Sequence, residues 1–431
     1  MFELPLLAAG SPRQPPAYLH SWRSVLLLLV FVDLMAAGMV MSMLVPLMKE
    51  LGATPFQLGL ISSTYGALQL TSGPMVGLLS DRKGRHFIIV AAYLGTAIGY
   101  GLVGFSRSLE VLFLSRVITG LVRHSSNGVK AYISDRVSRS ERSVDFGRMA
   151  TASGLGFMVG PMLGGFLHRY GGQRLPGCLA ALLFLCNATL ASYFLPAFPG
   201  PTSDKGGPES PFPSPLPPRI RSWHARLESV LPQAAVLRRP KVGALLAVRA
   251  VLGLAVQVFR EGFTTLVLYR FELDARQNGM LISYQGFLTT LVQGFAIRPL
   301  VASYPKEGFL IQAGITSLGL AYVAASLGPS IRSLVVLLAP VALAGGVVRT
   351  TFTALLTSAV PSSEVGQLLG LADTLMSTCR VLGPTLAGLL VTRLGTTAPG
   401  FVSGMLVLLA GVLFRALGCG QPSPRKEKDI P

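Results

Sequence analysis

Residues 77–86 read GLLSDRKGRH. Asp81, Arg82, Lys83, Arg85 and His86 crowd into this stretch, between two long apolar runs. The rest of the chain makes the crowding unusual. Of its 431 residues 51% are hydrophobic and only 13% charged, with a mean hydropathy of +0.56, where a soluble domain carries about 25% charge. Apolar runs long enough to cross a bilayer, roughly 20 residues each, recur along almost the whole length. Lipid tolerates only backbones that satisfy their own hydrogen bonds. The sequence therefore predicts an all-α polytopic membrane protein with the bilayer as its surroundings.

Working outward from residue 77 gives twelve spans, at 25–48, 56–79, 87–106, 109–132, 146–168, 174–195, 242–268, 277–300, 307–328, 331–359, 364–392 and 397–417. An even count puts both termini on one side. That side receives 22 Lys and Arg residues and the opposite loops eight: Lys49, Arg107, Arg169, Arg174, Arg270, Arg276, Arg332 and Arg393. The excess of cations predicts cytoplasmic termini. It also accounts for the net charge of +18 without a nucleic-acid partner. Residues 1–24 lack the charged start and short apolar core of a cleavable signal, so they read as a cytoplasmic tail. A six-helix half follows at 25–195. A Pro-rich cytoplasmic linker occupies 196–241, with "FPGPTSDKGGPESPFPSPLPPRIRS" at its core. A second half spans 242–417, and a short tail runs from 418 to 431.

The two halves are related. "GLISSTYGAL" from Gly59 and "GMLISYQGFL" from Gly279 align at an offset of 220, with Ser63 matching Ser283 and Gly66 matching Gly286. "GLVR" from Gly120 matches "GVVR" from Gly346, and "GPMLGGFL" from Gly160 matches "GPTLAGLL" from Gly383. Three ordered matches predict parallel six-helix repeats, with a substrate site between them near the membrane midplane.

Several residues stand out on physical grounds. Gly84 suits the tight turn after the charge cluster. In span five, Pro161 breaks the helical ladder, and Gly156, Gly160, Gly164 and Gly165 allow close helix approach; Gly383 and Pro384 repeat the pattern in span eleven. Asp33 lies in the middle of span one, where a lone carboxylate marks an ion or substrate path, or a structural pair with Arg116. Arg116, Arg123 and Lys130 recur every seven residues along span four and share one helical face. His124 either titrates near neutrality or packs as a neutral ring. Arg249, Arg349, Asp373 and Arg380 are further intramembrane charges, some of them expected to pair across the halves, and Arg260-Glu261 either is an unusual buried pair or marks a kink nearer the outer surface. The cationic bias favours an anionic or zwitterionic substrate. The four cysteines lack metal-ligand spacing, and no phosphate loop or nucleophile elbow is present. Neither an enzyme nor a metal or cofactor is expected, and energy must come from ion or solute gradients.

These motifs resemble the major facilitator superfamily across nearly the full length, tails and linker apart. "GLLSDRKGRH" matches its loop 2–3 signature through Gly77, Asp81, Gly84 and Arg85, with His86 where Lys or Arg is common. The resemblance implies that Asp81 meets the other half near the start of span eleven. It also implies a cytoplasmic latch with the loop after span four, where Glu141-Arg142 resembles an acidic-arginine pair. The loop after span eight, "AIRPLVASYPKEG", has lost the signature. "GLGFMVGPMLGG" resembles the hinge of the proton-coupled drug antiporter branch, as does Asp33 thirteen residues before Pro46, and Arg116 with Gly120 resembles the span-four arginine tied to proton coupling. The implied function is alternating-access transport of a small organic solute, as a monomer and with proton antiport. An uncoupled facilitator and a non-transporting scaffold or sensor are alternatives; the membrane that houses the protein stays open.

Overall fold

The computed structural model describes residues 18–196, 239–304, 307–361 and 364–418. Most of the expected linker and both tails lie outside the described residues. The first half contains α1 (Tyr18–Glu50), α2 (Pro55–Lys83), α3 (Arg85–Phe105), α4 (Leu109–Val122), α5 (Ser125–Arg136), α6 (Arg139–Gly171) and α7 (Arg174–Phe194). The second contains α8 (Pro240–Tyr269), α9 (Ala275–Leu291), α10 (Ile297–Ser303), α11 (Glu307–Leu327), α12 (Ile331–Ser358), α13 (Val365–Leu394) and α14 (Ala398–Ala416). Among the described residues ten helices are long and apolar enough to cross a membrane by themselves, counting α9, α10 and the turn between them as one. The other two crossings are α2, diluted by Gln57, Ser62, Ser63, Thr64, Gln69, Thr71 and Ser72, and the broken pair α4–α5. The fold is the twelve-helix arrangement of two six-helix halves.

Two of the expected helices are interrupted. Span four divides at Arg123 and His124. Span eight contains a π-helical turn at Val292–Ala296, closed by the Ile297 N–H to the Val292 carbonyl. Pro299 lies just beyond it and offers no N–H to the carbonyl of Phe295, four residues back, so a regular α-ladder cannot run through this point.

Each half has its own apolar core. Leu29, Met43, Tyr93, Tyr100 and Phe184 centre the first. Phe259, Tyr322, Phe352 and Phe414 centre the second, where the Phe259 and Tyr322 rings stack 3.7 Å apart. Glycine sets how closely the helices approach. A Cβ on Gly156, Gly160 or Gly164 of α6 meets the α1 backbone at Phe31, Met35 or Met39 respectively. In the second half a Cβ on Gly383 of α13 meets Gln257 of α8.

The halves join along two crossings related by the repeat. On α2 and α13, Gly59 lies on the backbone of Pro384, and Gly388 on that of Pro55. On α9 and α6, Gly279 lies on Pro161, and Gly165 on Ala275 and Arg276. All these contacts sit toward the side opposite the termini, here the far side. Cross-half hydrogen bonds add to them, among them Lys49 Nζ to the Leu268 carbonyl (2.6 Å), Tyr269 Oη to the Ala53 carbonyl (2.9 Å) and Asn278 Nδ2 to the Ser42 carbonyl (2.7 Å). Toward the terminus side the same helices diverge. A Cβ on Gly77, Gly147, Gly294, Gly366 or Gly370 meets nothing within 4 Å. The close contacts between the halves are thus gathered on the far side, beside a recess lined by Pro46, Lys49, His168, Leu268 and Asp274, and the halves part toward the terminus side.

Gly160→Ala is expected to lower the thermal midpoint, because the new methyl must displace the α1 backbone at an overpacking cost of about 1–3 kcal/mol. Gly77→Ala, with open space around it, leaves the midpoint unchanged in the same fluorescence-detected melting assay.

Candidate functional site

The centre of the first half is built around Asp33, which is 1% exposed on α1. Its Oδ1 lies 3.1 Å from Arg123 Nη2, and its Oδ2 accepts a 2.5 Å bond from Ser125 Oγ. The pair expected as an alternative, Asp33 with Arg116, is replaced by Asp33 with Arg123. The physical reason is the break in span four. Arg123 leaves helical geometry at φ −77°, ψ 72°, which allows both it and Ser125 to reach one carboxylate. The loosened turn is held from α2: Gln69 Nε2 donates to the Arg123 carbonyl (3.1 Å), and Ser72 Oγ lies 2.8 Å from His124 Nε2. His124 is thus a buried, hydrogen-bonded ring. The face shared by Arg116 and Arg123 ends at this break, and Lys130 beyond it is exposed.

Two guanidiniums share one aromatic ring here. Arg116 and Arg123 lie 5.5 Å and 6.0 Å from the centroid of Tyr100. A cation over a ring face is attracted by its quadrupole, but Arg116 has no carboxylate within ion-pair distance among the described residues, and its Nη2 is buried without a partner. Arg123 Nε and the Tyr93 hydroxyl are likewise buried without one. Arg123 keeps 16% of its side chain exposed against 2% for Asp33, so the arginine is the accessible member of the pair.

The second half is arranged differently. Arg249 of α8 reaches Thr353 Oγ1 at 3.4 Å, and its Nε is buried without a partner. Arg349, Asp373 and Arg380 are exposed, and none forms an ion pair among the described residues; Arg380 donates only to Ser377 Oγ, at 3.1 Å. The expected pairing of these charges across the halves is not made. Each is exposed on its helix rather than buried against the other half. Arg260 and Glu261 pair with each other at 3.0 Å.

The charge cluster at residues 77–86 is tied within its own half. Arg85 bonds Asp81 (2.7 Å), Asp135 of α5 (3.0 Å) and Ser80 Oγ (2.9 Å). Gly84 has φ +91°, the conformation for which the turn needs glycine. Among the described residues Asp81 forms no hydrogen bond or ion pair with the start of span eleven; Arg85, four residues on, takes its carboxylate instead. Glu141 pairs with Arg23 of α1 at 2.8 Å, and Arg142 donates to the Val137 carbonyl at 2.9 Å. At the matching place in the second half, Arg239 at the head of α8 pairs with Glu364 at the head of α13, 3.0 Å apart. Although the loop signature is lost there, a tie between first and fifth crossings is present in both halves.

Ser125, Tyr93, Tyr100 and Gln69 were not singled out from the sequence. Serine and tyrosine are ordinary in apolar helices, and only the break at Arg123 turns Ser125 toward Asp33. Comparison with known proteins agrees with this architecture. The profile described as Major Facilitator Superfamily matches residues 26–304 and 263–431. The chain belongs to that superfamily. Mouse solute carrier family 22 member 18 is 28% identical over 88% of this chain and 92% of its own. The class C tetracycline resistance protein of Escherichia coli is 26% identical over 90% and 93%. In fold, the chain is similar to the crystal structure of the human organic anion transporter MFSD10 (TETRAN), with a TM-score of 0.65 and 22% identity over 93% of this chain and all of that one.

Removing one member of the buried pair strands the other. Asp33→Asn and Arg123→Gln are each expected to destabilise by about 3–5 kcal/mol. The double variant recovers part of that loss, with a coupling of about 0.5–3 kcal/mol in a double-mutant cycle on denaturation midpoints.

Proposed function

We propose that this protein is a secondary transporter that exchanges a small zwitterionic or acidic organic solute for protons by alternating access. The observation carrying the reading is the Asp33–Arg123 pair, a buried carboxylate whose partner arginine is accessible beside a cleft that opens on one side only. A carboxylate held away from water in a bilayer is costly unless it serves an ion or substrate path. Exchange requires that proton and solute compete for one group. A proton on Asp33 neutralises it and frees Arg123. The cationic group of a zwitterionic solute takes the proton's place on Asp33, and the acidic group of either kind of solute meets an arginine with an unpaired N–H, such as Arg123 or Arg249, whose Nε atoms are buried without a partner. The printed names of the relatives, a tetracycline resistance protein, a solute carrier and an organic anion transporter, support movement of organic solutes.

In the same reading the terminus side is cytoplasmic, consistent with the excess of Lys and Arg there, and the open cleft is the inward-facing state. Asp81, Arg85, Glu141 and Arg142 form the moving edge that latches when the cytoplasmic side closes. An uncoupled facilitator keeps the same residues as structure alone.

The test is ligand-induced thermal stabilisation of the purified protein by a library of zwitterions and organic acids, on both sides of neutral pH, with wild type and Asp33→Asn. Stabilisation of wild type that depends on pH, with the dependence lost in the variant, is the expected result. Hits equally strong at both pH values and unaltered by the substitution assign the protein to uncoupled transport.

A further inference from the structure

The two Gly–Pro crossings share a detail beyond close packing. Where α6 meets α9, Ser283 Oγ accepts the backbone N–H of Met162, the residue after Pro161, at 2.9 Å. Where α2 meets α13, Ser63 Oγ accepts the backbone N–H of Thr385, the residue after Pro384, at 3.1 Å, and the Thr385 hydroxyl at 2.7 Å. Ser63 and Ser283 are repeat partners, as are Pro161 and Pro384. A proline pushes away the carbonyl of the preceding turn, and at both prolines the next N–H crosses to the other half. The serines are 6% and 8% exposed, so these are bonds formed in a dry interface. A hydrogen bond in such a place is costly to break without a replacement, so each bond helps to hold the halves together where they meet.

We infer that Ser63 and Ser283 form one symmetric latch on the far side, each binding the N–H after the other half's Gly–Pro, and that the far side opens only when both bonds break together. They are positioning residues for alternating access and touch no solute. The inference goes beyond the transport reading: it requires no substrate and no proton coupling, so either can fail without the other.

The geometry explains why the serine sits four residues after each interface glycine. Gly59 and Ser63 on α2, and Gly279 and Ser283 on α9, stand one turn apart on one helix face. The glycine admits the proline's carbonyl region, and the serine then stands level with the next N–H. The shared offset of 220 residues carries the arrangement from one crossing to the other.

Amide hydrogen exchange on the full chain in lipid nanodiscs, resolved to Met162 and Thr385, tests the latch. A single Ser63→Ala or Ser283→Ala substitution is expected to raise exchange at both amides by about five-fold, the worth of one hydrogen bond. The double substitution raises it by about twenty-five-fold. Ser63→Thr and Ser283→Thr, which keep the hydroxyl, stay near wild type. The core amides of Tyr93 and Ala97 in α3 serve as the control and do not change. A rise confined to the amide whose own serine was removed, or no rise at either, overturns the shared latch. A rise matched by the α3 amides marks general destabilisation and overturns it equally.

Discussion

Close backbone approach at two pseudo-symmetric crossings is the constraint on which the rest of this molecule depends. The helices approach at Gly59–Pro384 and at Gly279–Pro161, and the same pairs stay in contact further along, where Gly66 meets Arg380 and Gly286 meets Met158. Each half carries its own buried core, with Tyr93 and Phe184 in one and Tyr322 and Phe352 in the other, so the halves can move as bodies while their interiors stay packed. Among the described residues the hydrogen bonds between the halves are localised at their crossings on the far side.

Inside the first half, the break between α4 and α5 replaces a regular turn with a small polar assembly. The chain gives up helix continuity at Arg123, and the freed groups are taken up by Gln69 and Ser72 of α2 and by Asp33 of α1. Three crossings thus converge on one ion pair. Any change in the charge of Asp33 acts on α1, on the α4–α5 junction and, through Ser125, on the start of α5. The second half has no equivalent buried pair among the described residues. Its repeat partner of Arg123, Arg349, is exposed. The two halves are thus asymmetric in charge: one holds a buried ion pair and the other an exposed arginine at the repeat-related position.

Much of the fold was legible in the sequence because hydropathy and repeat offsets act over whole helices. The twelve crossings, the relation of Gly160-Pro161 to Gly383-Pro384 and the need for glycine at residue 84 all follow from local chemistry. The break in span four was not legible: no glycine or proline marks Arg123, and only tertiary partners on other helices hold it. The π-turn at Val292–Ala296 had a signal in Gly294 and Pro299, but neither residue alone distinguishes a wider turn from a kink. Asp33 was singled out by its cost in a membrane, yet its partner depended on side-chain reach across that unforeseen break. The residues near Asp81 were assigned a partner near the start of span eleven; among the described residues Asp81 pairs with Arg85 instead, and Arg85 also with Asp135.

The central claim is that the two sides of one molecule open in opposition. Its most direct measurement uses spin labels at Arg107 and Arg332 on the far side, and in a second preparation at Lys83 and Gln367 on the terminus side. Both are read in nanodiscs across neutral pH, with the native cysteines replaced. The account predicts that whatever populates a longer far-side distance depletes the longer terminus-side distance in step, and that Asp33→Asn abolishes the response to pH. A terminus-side distance that stays fixed under every condition would contradict it and leave a static membrane scaffold.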